Sequence, residues 1–181
     1  VQRQEITVSE IEARTRLPKE VRGGPGGLLS NLVFWIALAA PLHFAWEWAH
    51  ATLYTLWRGA SGSVVAYSIA HCTAGDALIA GVSYLAGAAC GRAVDWPNIA
   101  PIRGTTAAAL SGVGYTAFSE WLNVHRLGSW AYTDAMPLVA GIGVTPLLQW
   151  LLVPSAMVFI WRCFRPRGPR QTRCGGAGNE K

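Results

Sequence analysis

Charge is scarce in this chain: of 181 residues only 14% are Asp, Glu, Lys or Arg, against 51% hydrophobic. So lean a complement excludes a disordered chain and argues against an ordinary soluble domain. With a mean hydropathy of +0.26 and nine tryptophans, it points to an integral membrane protein. No C-x-x-C pair occurs among the four cysteines: Cys72 and Cys90 fall inside apolar runs, Cys163 and Cys174 in or beside a basic tail. That excludes zinc-ribbon and thioredoxin-like chemistry and leaves no disulfide framework. The H-E-x-x-H order of the zincins is missing, no internal repeat is evident, and the polar first 27 residues predict no cleavable secretory signal.

Basic residues, by contrast, gather at two tails. Arg3, Arg14, Arg16, Lys19 and Arg22 lie in one, Arg165, Arg167, Arg170, Arg173 and Lys181 in the other, within a net charge of +5. Short and without interleaved aromatics, these tails predict no nucleic-acid partner. They read as topology signals and contacts to anionic membrane lipid.

Four apolar stretches, near 29–50, 64–91, 105–124 and 138–162, reach the roughly 20 residues that about 30 Å of hydrocarbon requires. The expected fold is all-α: a four-transmembrane-helix bundle over residues 28–164. An N-terminal tail, 1–27, precedes it, with Ser9 and Glu12 in capping-box spacing for a short amphipathic helix. A basic, disordered tail, 165–181, follows it. The loop joining spans two and three carries Arg92 and Arg103, the other two loops only Arg58 and Arg126. The positive-inside rule then puts both termini in the cytoplasm. Pro41, Pro146 and Pro154 predict kinks. Gly87 and Gly91, and Ala108, Gly112 and Thr116, recur at four-residue intervals and predict close helix approach. Trp46, Trp48, Trp57, Trp121 and Trp130 are expected in an outer aromatic girdle.

The informative residues are the few polar ones inside those spans. In "HFAWEWAH", His43, Glu47 and His50 are spaced by four and three, so they share a helix face within about 40°. Span two pairs Cys72 with Asp76, with His71 about 100° around from Cys72. Span three aligns Thr116, Glu120 and Asn123, and span four Thr145 with Gln149. At 1.5 Å per residue, all lie in the half of the membrane away from the termini, His43 and His71 about 10 Å deep and Glu47 and Glu120 about 5 Å. Ionisable groups at depth cost several kcal/mol unless paired, ligated or hydrated, and mark a functional site by default.

Several chemistries fit that set. His43, Glu47, His71, Asp76 and Glu120 form a ligand list suited to Zn, Fe or Mn, for redox, hydrolytic or metal-handling work. His50, Cys72, Thr116, Asn123 and Gln149 would support it. His43 and His71 would serve a haem less readily, since haem ligation does not call for the carboxylates. A proton or cation path is another reading. A fourth is a bonding network with Tyr115, Thr116 and Ser119 that only holds the bundle together. His50 and His125 are expected near the surface as interfacial side chains. An accessory subunit or homo-oligomer would meet its membrane-complex partner through "GSWAYTDAMP".

Two resemblances bear on these alternatives. "YTAFSEWLNVHRLGSWAYTDAMPLVAGIGVTPLLQWLLVP" with "HCTAGDALIA" resembles a group of small, uncharacterised bacterial four-helix integral membrane proteins, which implies the bacterial inner membrane. The layout of Glu120, Gly128, Trp130, Tyr132, Gly143 and Pro146 is similar to that of the lycopene cyclase domain. There a pair of glutamates follows the proline; this chain has Leu147 and Leu148, then Gln149. That likeness implies an isoprenoid or lipid ligand, bound or modified, with Glu47 or Glu120 as general acid.

Overall fold

The computed structural model describes residues 25–165, and the expected helix in the first tail and the basic tail from 166 onward lie outside them. The described chain is mostly helical: α1 (Pro25–His50), α2 (Leu56–Gly59), α3 (Gly62–Gly91), α4 (Trp96–Ile99), α5 (Pro101–Glu120) and α6 (Val144–Phe164). A 3-10 turn, Ala51–Leu53, follows α1, and a π-helical turn, Trp121–Leu127, continues α5 before Gly128 ends it in a left-handed conformation, φ 63°. Among the described residues, three segments are long and apolar enough to cross a membrane: Gly27–Leu53, Gly62–Gly91 and Val144–Phe164.

The four long helices close into a ring, α1 on α3, α3 on α5, α5 on α6 and α6 on α1. Their alternating directions put both ends of the described chain at one end of the bundle, the termini end. There Arg165 donates to Asn31 Oδ1 at 2.7 Å and lies over the rings of Phe34 and Trp161. Asp95, in the loop after α3, accepts from Trp161 Nε1 at 3.0 Å and from Asn98 Nδ2, which also reaches Arg165 O at 2.7 Å. Charge-assisted bonds of this kind hold the closing helix against the loop.

Span four departs from the expectation of a helix from residue 138. Leu138–Val139 pairs antiparallel with Ile142–Gly143, and the helix begins only at Val144. The cause is local: Ala140 and Gly141, at φ 51° and 79°, form a left-handed two-residue turn that favours a hairpin and cannot continue a right-handed helix. Pro146 therefore stands in the first turn of α6, where its missing N–H costs nothing, and does not kink the helix; Pro41 and Pro154 do lie inside helices.

Tryptophan fills the core as well as the margins. Trp35, Trp96, Trp150 and Trp161 are all buried with Tyr84 and Met157, and Trp35 meets Trp96 at 5.1 Å and Trp161 at 5.9 Å between ring centroids. Of the small residues expected to bring helix backbones together, Gly87 does so, a Cβ there lying 3.0 Å from Gly104 O, and glycines on these helices also seat the indole rings. A Cβ at Gly104 would lie 2.0 Å from Trp96 Cε3, one at Gly87 2.7 Å from Trp96 Cε2, and one at Gly112 2.0 Å from Trp150 Cε3. Helix α4 carries Trp96 inward between α3 and α5, and its Nε1 donates to Tyr84 O at 3.1 Å. Of the expected girdle, Trp48, Trp57 and Trp121 are exposed, while Trp46 and Trp130 are half-buried.

Candidate functional site

At the end of the bundle away from the termini, the four helices leave a cavity of about 500 Å³. Helix α1 contributes Glu47 and His50, α3 His71, Cys72 and Asp76, α5 Thr116 and Glu120, the π-helical turn Asn123, and α6 Gln149. The periodicity explains the convergence: an interval of four or seven keeps each helix's polar residues on one face. His43 is the exception among the sequence candidates, lying fully buried behind the wall with its ring 4.8 Å from that of Trp150.

Three groups of neighbouring polar side chains stand out at this site. In the first, Gln149 Nε2 stands 2.6 Å from His43 Nδ1 and 2.7 Å from Asp76 Oδ2, and the imidazole is 3.4 Å from that same oxygen. With the amide hydrogens drawn to the Asp76 carboxylate, His43 Nδ1 acts as acceptor and the ring proton belongs on Nε2. That Nε2 is buried and has no partner among the described residues.

The second group is Glu47 with His50, three residues apart, Oε2 to Nε2 3.3 Å. His50 is 6% exposed, so the expectation of an interfacial side chain fails. Chain folding after α1 lays Tyr54 against its ring, 5.5 Å between centroids, and Trp46 packs on it edge-on. The third group surrounds Glu120, which is 7% exposed and accepts from Tyr132 OH at 2.5 Å, Tyr54 OH at 3.3 Å and Trp130 Nε1 at 3.3 Å. Three donors on one carboxyl suit its ionised, acceptor-only form.

The loops that supply those donors are tied to each other. Tyr54 and Tyr132 form an antiparallel bridge, Thr55 N–H donates to Ala131 O and Thr133 N–H to Leu53 O, both at 2.9 Å. Sequence reasoning missed Tyr54 as a site residue, although it continues the face of His43, Glu47 and His50 by a further four residues. It had Trp130 and Tyr132 only through a likeness of layout, because no local period links a loop side chain to a helix face.

Burial pushes the Tyr54 and Tyr132 phenols well above the ordinary tyrosine range, and the Glu120 carboxylate raises both further. Unfolded phenols ionise near about pH 10, so the stability these two contribute is fully present below that pH and is lost progressively as pH rises from there through their raised folded-state values. Titrated to about pH 11 in mild detergent, wild type and the Tyr54→Phe and Tyr132→Phe variants should develop equal tyrosinate absorbance. A smaller rise in either variant would mean that its missing phenol ionises normally.

The five expected metal ligands do not form one set as arranged. His43 Nδ1 is engaged by Gln149, Glu47 faces His50, Glu120 is enclosed by three donors, and His71 is exposed and stacked on Tyr67 at 5.8 Å. Among the described residues no three His, Cys, Asp or Glu side chains group closely enough to hold an ion. Haem fits no better, because the free Nε2 of His43 abuts protein on a fully buried ring. Comparison with known proteins adds no family: no family model, no curated protein and no solved structure matches this chain.

Proposed function

We propose that this chain is a four-span integral membrane protein whose far-end cavity binds a lipid-type ligand, with the ligand's polar head among the carboxylates. The observation that carries this reading is the convergence of Glu47, Asp76 and Glu120, from three helices, on one cavity whose size suits a small organic ligand. Ile69, Ile79, Val65 and Trp57 supply apolar wall beside them. Helix α5 is the fourth span: its 20 residues reach about 30 Å at 1.5 Å each, and it packs between two helices that are themselves apolar enough to cross.

With four spans both tails share a side, and the excess of Arg and Lys in them and in the loop after α3 assigns that side to the cytoplasm. The cavity then lies in the outer half of a bacterial inner membrane. Within it, Glu47 and His50 form an acid–base pair able to exchange a proton with a bound molecule, while Glu120 is a fixed acceptor that organises the loops.

The test is lipid mass spectrometry on protein extracted in mild detergent. A defined lipid or isoprenoid at near one-to-one ratio, reduced at least tenfold in a Gln149→Leu variant that still elutes as a folded species, is the expected result. Equal lipid profiles for wild type and variant would remove the reading.

A further inference from the structure

The lining of the cavity says what kind of head group it takes. Among the described residues, Glu47, Asp76 and Glu120 face it, and no lysine or arginine does. Glu120 is already served by three donors, but the other two carboxyls are not: Gln149 engages only Oδ2 of Asp76 and His50 faces only Oε2 of Glu47. Their side chains keep 14% and 13% exposure. An ionised carboxylate at such depth needs a counter-charge or a donor.

A second, independent observation points the same way. His50, 94% buried by its 6% exposure and part of the cavity wall, leaves Nδ1 without a partner among the described residues. Nε2 lies 3.3 Å from Glu47 Oε2, and the tautomer that keeps its proton on that nitrogen leaves a lone pair on Nδ1. Glu47 Oε1, Asp76 Oδ1 and His50 Nδ1 are thus acceptor positions on this wall that no described donor fills. Tyr54, Trp57, Tyr67 and Trp130 also line the cavity, and aromatic rings attract cations.

We propose that the head group bound here is a protonated amine, presenting N–H donors to Glu47, Asp76 and His50 and its charge to the aromatic wall. The inference rests on the lipid-ligand reading above and specifies the head. A long-chain amine satisfies both halves of the site; a short amine satisfies only the acidic half and a long-chain alcohol only the apolar half.

Dodecylamine, dodecanol and butylamine, titrated into the full chain in a non-ionic detergent with tryptophan fluorescence as readout, separate these. Dodecylamine should bind saturably, at least tenfold tighter than either comparison probe. Its affinity should fall at least tenfold in both Glu47→Gln and Asp76→Asn, whose near-ultraviolet dichroism shows whether the fold is retained. Dodecanol binding as tightly as dodecylamine, with both variants unaffected, would overturn the amine assignment and leave the lipid site standing. Saturable binding of butylamine equal to dodecylamine would keep the amine and overturn the lipid chain. No saturable binding of any probe would overturn both.

Discussion

A Gly112→Val variant should fail to form the bundle, or form it with a loss of at least about 3 kcal/mol, the upper part of the range for overpacked cores. A Cβ at this buried position would stand 2.0 Å from Cε3 and 2.2 Å from Cδ2 of Trp150, and that ring is 1% exposed with nowhere to go. The damage spreads to the cavity. Trp150 supports the ring of His43, which Gln149 and Asp76 hold from the other side. Thermal inactivation followed by size-exclusion chromatography in detergent reads the loss. Adding Trp150→Leu should restore part of it, because it removes the atoms that valine meets; a Gly112→Val chain as stable as wild type would refute this account of the packing.

Glu120→Ala is the second change with a large expected effect, about 2–4 kcal/mol, because it strands three half-buried donors at once. Tyr132 OH, Tyr54 OH and Trp130 Nε1 all end on that one carboxyl. Without it the paired loops lose the group that joins them to α5, so amide hydrogen exchange at Thr55 and Thr133 should accelerate at least tenfold, while that at Ile99 and Ala100, at the termini end, stays unchanged. Glu120→Gln keeps one acceptor oxygen and should fall between wild type and alanine. Uniform acceleration throughout the bundle would assign Glu120 to general packing and not to the loops.

Much of the helical layout was legible in the sequence because helical periodicity is a short-range code. Apolar length marked α1, α3 and α6, and intervals of four and three aligned Glu47 with His50, Cys72 with Asp76, and Thr116 with Glu120 and Asn123 on what is now a common cavity. What stayed hidden depends on contacts between distant segments or on single backbone conformations. Ala140 and Gly141 turn the start of span four into a hairpin. Trp96 enters the core from a four-residue helix. His50 is covered by Tyr54, and Glu120 meets Trp130 and Tyr132, which approach from a loop at the far end. The division of His43, Glu47, His71 and Glu120 among separate neighbours belongs to the same class: depth and face were readable, the partner of each side chain was not.

The indole of Trp96, seated on Gly87 and Gly104 from two different helices, also constrains how this protein can change over generations. A methyl group gained at either glycine is blocked while the ring is present, and a smaller residue gained at Trp96 leaves a void between two helices that keep their glycines. No single substitution improves the arrangement, so the three positions are expected to be inherited as a unit, and a lineage that loses the tryptophan should fill both glycines soon after.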